Sequence, residues 1–150
     1  MNTPDQIDNP GVVPDWPPWP DDALSYASLP ADPDEGFPQA FLLNVQDVIY
    51  RISLAVYFTD PAYVLSTEFA GTFFDLPDPE RGLYLNLRVE REDQPEPVRL
   101  LGVRRVVLDL PMPFGPLRFR FHRIKIAQGN LAGPAALGSE LVAEVAVSNA

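Results

Sequence analysis

The sequence predicts an all-β protein: a small barrel or sandwich of six or seven strands with an extended proline-rich N-terminal arm. Two observations predict the strands. From residue 41 onward apolar residues alternate with polar ones, and no window of about 11 residues carries the 3.6-residue stripe of an amphipathic helix. A third observation predicts the arm: residues 1–40 hold nine of the 18 prolines and eight acidic residues but no Lys or Arg.

The chain is therefore divided into an acidic arm, residues 1–40, and a β-domain, residues 41–150. Proline lacks the backbone N–H and holds the preceding residue extended, so the arm is predicted to be neither helix nor inner strand. The arm carries −8 of the formal net charge of −10. It also contains Trp16 and Trp19 in a stiff Pro-rich setting, and large rings of this kind anchor extended segments on partners. Docking on the chain's own body and docking on a neighbouring subunit both remain open.

The alternating runs define the strands of the predicted β-domain. Residues 41–45 and 50–56 form an opening hairpin with a turn at Gln46 and Asp47. Later runs cover residues 83–90, 98–110, 117–126 and 140–147. They are separated by loops rich in Pro, Gly and Asp, which is typical of a small barrel or sandwich.

A long segment at about residues 58–82 interrupts the strand pattern. It is longer than an ordinary hairpin loop and contains several aromatic residues, so it is not simply solvated. We expect it to form either a short strand or an excursion that packs on a neighbour.

The composition excludes several kinds of chemistry. The chain has no Cys and one His, so disulfides, thiolate sites and multi-His zinc sites are excluded. No serine lies in a recognised nucleophile motif that would need a catalytic His, so His122 is interpreted as a surface or interface residue. Glu90, Glu92 and Asp93 lie at a strand end and turn, where a solvated charge cluster is expected. The sequence therefore predicts no enzyme, no metal and no cofactor.

One basic stripe is the candidate partner-binding surface of the β-domain. Interleaved Phe119 and Phe121 give it a superficial likeness to a nucleic-acid stacking platform. Alternation directs these rings to the opposite face, however, and a net charge of −10 repels phosphate, so no nucleic acid is expected. Ten of the 11 bases are Arg, which favours pairing with carboxylates of an acidic surface, such as the arm of this chain or of another. The stripe consists of Arg118, Arg120, Arg123 and Lys125.

Neither a membrane span nor a secretion signal is predicted. No apolar run approaches the ~18–20 residues that cross a bilayer, and the N-terminus lacks a basic start. The protein is expected to be made in the cytoplasm and to stay there or in an assembly.

The order of segments resembles the baseplate plug proteins of contractile-tailed bacteriophages. The likeness rests on an opening strand and turn, a following strand, a Gly-Leu-Tyr-Leu-Asn-Leu run with an acidic turn, an apolar strand and a Leu-Gly-introduced closing strand. It covers about half of the chain and is one of order and spacing. The segments are residues 41–47, 48–54, 82–93, 100–110 and 137–145.

This resemblance implies a structural role in the virion, at the tail tip, where the protein would help to close the tube and hub. It implies partners among the baseplate, hub and tube proteins and copies of the same chain, and it carries over no catalytic residues. The arm and the segment at 58–82 are additions to the usual plug. The alternative is a free-standing β-sandwich module that binds carbohydrate or peptide, with Trp16 and Trp19 as stacking residues.

Overall fold

A computed structural model describes residues 25–133 and 138–147 of the chain. These residues form two antiparallel sheets that pack face to face, so the all-β prediction is confirmed as a sandwich and not as a closed barrel. In chain order the strands are β1 (Ala27–Ser28), β2 (Gln39–Val45), β3 (Val48–Tyr57), β4 (Phe73–Asp75), β5 (Tyr84–Arg91), β6 (Leu100–Arg105), β7 (Met112–Phe114), β8 (Leu117–Ala127) and β9 (Glu140–Val147).

The two sheets differ in construction. Sheet I is a four-stranded sheet in the order β2-β3-β5-β6. Sheet II contains β1, β9 and β8, and the short strands β4 and β7 pair with the same edge of β8, one near each of its ends. Six strands have six or more residues and three are shorter, which agrees with the predicted number of long strands.

The core lies between the inner faces of the two sheets. Along β3, β5 and most of β8, alternate side chains are buried, as the period of two in a half-buried strand requires. Phe114 and Phe119 meet edge to face with their ring centroids 5.5 Å apart. The sheet residues at 0–2% exposure are Ile52, Leu54, Leu85, Leu87 and Val89 from sheet I and Met112, Phe114, Leu117, Phe119, Phe121, Ile124 and Ile126 from sheet II.

The opening hairpin forms as the sequence predicts. β2 and β3 pair in register from Gln39 opposite Leu54 to Val45 opposite Val48. Gln46 and Asp47 have φ values of 51° and 67°, the left-handed conformation at both central positions that a two-residue type I′ turn requires.

The boundary predicted at residue 40 does not separate an arm from the sandwich. Residues 25–40 are packed with it: Ala27 pairs with Val145 on β9, and Phe37 is 1% exposed in the core. A short 3₁₀ helix, Pro33–Glu35, lies between these two points. Prolines in this stretch limit its secondary structure but do not prevent its apolar side chains from being buried.

Asp34 ties this N-terminal stretch to the start of β9. Its carboxylate accepts hydrogen bonds from the backbone N–H of Gly138 at 3.2 Å and of Ser139 at 2.9 Å, and from the side-chain amide of Asn130 at 3.3 Å. Asn130 is fully buried, and its carbonyl oxygen accepts from the N–H of Phe37 at 3.0 Å. These bonds join segments that are about one hundred residues apart in the chain.

The segment predicted to be inserted at 58–82 connects the two sheets. It includes helix α1 (Ala62–Leu65), a 3₁₀ turn (Thr67–Phe69) and strand β4, which pairs with β8. Phe74 and Leu76 are buried at 3% and 1% exposure, so the segment contains a short strand and packs on its own domain.

Candidate interaction surface

The structure brings the four bases of the predicted stripe together on the outer face of sheet II, along β8. A β-bulge falls at His122, where the register changes from Phe121 opposite Ala143 to Arg123 opposite Val142. The bulge explains why the buried positions are odd-numbered from residue 117 to residue 121 and then fall at the even-numbered residues 124 and 126. Trp16 and Trp19, the other predicted partner-binding residues, lie outside the described residues.

Two bases of the stripe already pair with carboxylates of the neighbouring strand β9. The guanidinium of Arg120 donates from Nε and Nη2 to Oε2 of Glu144 at 3.0 and 2.9 Å, and it stacks 4.0 Å from the ring of Tyr26. Arg123 donates to Glu140 at 2.6 Å. The acidic partner that the sequence suggested for the stripe is therefore supplied in part by the protein's own sheet.

The other two bases have different surroundings. Nη1 of Arg118 donates to the carbonyl oxygen of Leu117 at 3.4 Å, and Nζ of Lys125 lies 5.2 Å from the centre of the Phe73 ring. Docking of an acidic segment on this face stays a prediction.

His122 bridges two carboxylates on the same face. Its Nδ1 lies 2.7 Å from Oδ1 of Asp109 and its Nε2 lies 2.6 Å from Oε2 of Glu144. The hydrogen bond to Glu144 and then that to Asp109 raise the pKa of His122, and the hydrogen bond from His122 lowers the pKa of Glu144. Because a carboxylate lies within hydrogen-bond distance of each ring nitrogen, a protonated His122 donates to both and cross-links the loop of Asp109 to β9.

Neither of these two partners of His122 could be identified from the sequence. Asp109 lies in the loop before β7 and Glu144 lies on β9, so only the pairing of β8 with its neighbours brings them to His122. In the sequence, the apolar positions of this run change from odd-numbered, up to residue 121, to even-numbered at residues 124 and 126. This change could have indicated the bulge.

Over residues 25–133 and 138–147, no group of three or more His, Cys, Asp or Glu side chains is placed to hold a metal ion. In the same residues no helix is long and apolar enough to cross a membrane.

The edge of sheet I formed by β2 is a second candidate surface. Its seven residues, Gln-Ala-Phe-Leu-Leu-Asn-Val, include no charge and no proline, and Leu42 is 54% exposed. In the hairpin, Val45 and Val48 flank a two-residue turn and form a hydrogen-bonded pair, and such pairs alternate along an antiparallel ladder. The backbone N–H and C=O groups of Ala40, Leu42 and Asn44 therefore point away from β3, toward the free side of the strand.

The other sheet edges in the described part of the chain are short or charged. β1 has two residues, and β4 and β7 have three each. β6, at the opposite edge of sheet I, ends in Arg104 and Arg105, and the β5–β6 register shifts between Val89 and Glu90. Charges, bulges and short length are the features that keep sheet edges from pairing with other chains, and β2 has none of them.

A groove of 320 Å³ lies beside the β2 edge. It lies between the end of β2 with its turn, the region of β1 and the end of β9. Among the described residues no charged side chain lines it, and its polar side chains are hydroxyls and amides. The lining residues include Ser25, Ser28, Leu43, Asn44, Gln46 and Val147.

Comparisons with known proteins add no relative to this description: no family model, no curated protein and no solved structure matches the chain significantly.

Proposed function

We propose that this protein is a structural subunit of a contractile phage tail, a plug-type component of the baseplate that acts through protein–protein contacts. The observation that carries the proposal is the free, uncharged edge of β2 with the groove beside it. A strand edge of this kind binds another extended segment through main-chain hydrogen bonds, and the groove accepts side chains of that segment. The resemblance in segment order supports the baseplate location.

The chemistry of the two surfaces supports an assembly role over catalysis. His122 and its carboxylate partners Asp109 and Glu144 form a cluster in which opposite charges pair with each other. The groove beside β2 offers hydroxyls, amides and apolar side chains. Such a lining suits a polypeptide strand, whose own hydrogen-bonding groups lie along its backbone. The baseplate would provide such strands from neighbouring subunits.

The acidic N-terminal segment offers a further contact in this proposal. Residues 1–24 contain five Asp and no Lys or Arg, together with both tryptophans. The basic stripe on a neighbouring subunit is the proposed acceptor, and Arg118 and Lys125 are its members that lie next to a carbonyl and a ring instead of a carboxylate. Salt would weaken this contact because both charged surfaces are exposed.

The test is the location of the protein in purified particles. We would tag the full-length chain, purify contractile-tailed particles from producing cells, identify the protein by mass spectrometry and locate the tag by gold labelling. The expected result is label at the tail tip. Absence of the protein from particles that contain the other baseplate subunits would contradict the proposal. The double variant Trp16→Ala with Trp19→Ala is expected to reduce incorporation and leave the melting temperature of the purified protein unchanged.

A free-standing module that binds peptide or carbohydrate is the second candidate. The uncharged groove favours a peptide, because its hydroxyl and amide side chains can pair with backbone groups. Such a module would bind a soluble peptide as a monomer and would not be recovered with particles. The particle experiment therefore separates the two candidates.

A further inference from the structure

The outward-facing backbone groups of β2 determine what kind of occupant fits its edge. Ala40, Leu42 and Asn44 each present one donor and one acceptor to the free side, at the spacing of an antiparallel ladder. A neighbouring antiparallel strand satisfies these groups with fixed geometry. A folded surface or a small ligand would not match this repeated pattern.

We propose that the β2 edge binds the β2 strand of a second copy of this chain, forming a continuous eight-stranded sheet across a two-fold axis. The inference deepens the proposed function and rests on it, because it names the occupant of the edge that the proposed function uses. In an interface of this symmetry the same patch is present on both sides, so the patch must be complementary to itself.

β2 is complementary to itself in one register. With the two-fold axis at Leu42, this residue pairs with Leu42 of the second copy, and Ala40 pairs with Asn44 in both directions. Each outward-facing residue then donates one hydrogen bond and accepts one, and all seven residues of β2 are paired. A shift of the axis to either neighbouring residue leaves part of the strand without a partner.

The side chains of β2 agree with this register. On the outer face the half-exposed Leu42 side chains meet at the axis, flanked by Ala40 and Asn44. On the inner face the partly exposed Phe41 of one copy lies beside Leu43 of the other, so pairing covers apolar surface on both faces. The strand has no charge that would meet its own copy at the axis.

The net charge of −10 makes the association depend on salt. Two copies repel each other at long range, whereas the contact at β2 is uncharged. Screening therefore strengthens this dimer, which is the opposite of what a contact between the acidic segment and the basic stripe would show.

The experiment measures the mass of the full-length protein by sedimentation equilibrium over a range of concentrations, at low and high salt. Leu42→Pro removes the central outward-facing N–H without removing a bond to β3, and Leu42→Lys places two like charges at the axis. Val103→Lys is the matched control, because Val103 is 51% exposed on β6 at the opposite edge of the same sheet, close to the 54% of Leu42.

We expect the wild type and Val103→Lys to reach twice the monomer mass of 16.6 kDa, with tighter association at high salt. Both Leu42 variants should dimerise at least ten-fold more weakly while keeping the wild-type circular dichroism spectrum. If Leu42→Pro fails to fold, Leu42→Lys decides the outcome. A wild type that stays monomeric up to about 1 mM overturns the inference, as does a Leu42→Lys variant that dimerises like the wild type.

Amide hydrogen exchange identifies the occupant of the edge. In the dimer the amides of Ala40, Leu42 and Asn44 should exchange slowly, and in the Leu42→Lys variant they should exchange fast. Slow exchange at these amides in a monomer would show that another segment of the same chain covers the edge, and it would overturn the inference. A monomeric protein that still labels the tail tip would leave the proposed function standing.

Discussion

Replacing Phe37 with Ala tests whether residues 25–40 belong to the folded domain. Phe37 lies among prolines and acids, where the composition predicts an arm, yet the structure places its ring in the core at 1% exposure. Its backbone N–H also donates to Asn130 at 3.0 Å. The substitution removes the ring and leaves this backbone bond in place, so it measures the packing of the side chain.

The expected cost follows from this burial. Truncating a buried Phe to Ala lowers the free energy of unfolding by about 3–5 kcal/mol, from lost transfer energy and the cavity left behind. A domain of this size is stable by about 5–15 kcal/mol, so the variant loses a large share of its stability. The melting temperature should fall by roughly 10 °C. If Phe37 belonged to a solvated arm, the change would stay within about 0.5 kcal/mol.

Urea unfolding of the full-length protein, followed by circular dichroism, measures this difference. Phe73→Ala is the matched control, because the Phe73 ring is 40% exposed on β4 and its loss should cost much less. A Phe37→Ala variant that unfolds within about 1 kcal/mol of the wild type would refute the packing of residues 25–40 described above.

Two further predictions concern polar groups. The pKa of His122 is raised above its ordinary 6.5, so its stabilising contribution is full below that pH and is lost as the pH rises through the raised pKa. The free energy of unfolding of the wild type should therefore exceed that of His122→Gln most at mildly acidic pH, and the excess should shrink under alkaline conditions; a pH-independent excess would contradict this. Asp34→Ala leaves the N–H donors of Ser139 and Asn130 without their carboxylate and should cost about 2 kcal/mol in urea unfolding, whereas the exposed neighbour Glu35→Ala should be nearly neutral.

Local features of the fold were predictable from the sequence. The alternation of apolar and polar residues predicted the long strands, because a strand with one buried face has a period of two. The turn at Gln46 and Asp47 was predicted from the two flanking runs, and its backbone conformation fits the two-residue hairpin.

The position of the N-terminal stretch was not predictable in this way. Leu29 and Phe37 are single apolar residues among prolines and acids, so they form no periodic pattern. They are held by partners about one hundred positions away: the N–H of Leu29 donates to Ala143 and that of Phe37 to Asn130. Asp34 accepts from the N–H groups of Gly138 and Ser139 in the same region. Composition predicted neither a helix nor an inner strand there, and residues 25–40 contain only a three-residue 3₁₀ helix and residues of edge strands. It could not show that the stretch packs against the sandwich.

The sequence by itself determined which residues form strands, because strand formation depends on the local alternation of side chains and on turn residues a few positions away. Only the tertiary structure decided that β2 lies at an open edge and that His122 lies between Asp109 and Glu144. Both results depend on which strands become neighbours. That choice is made by packing and backbone pairing between distant segments, and no short stretch of sequence contains it.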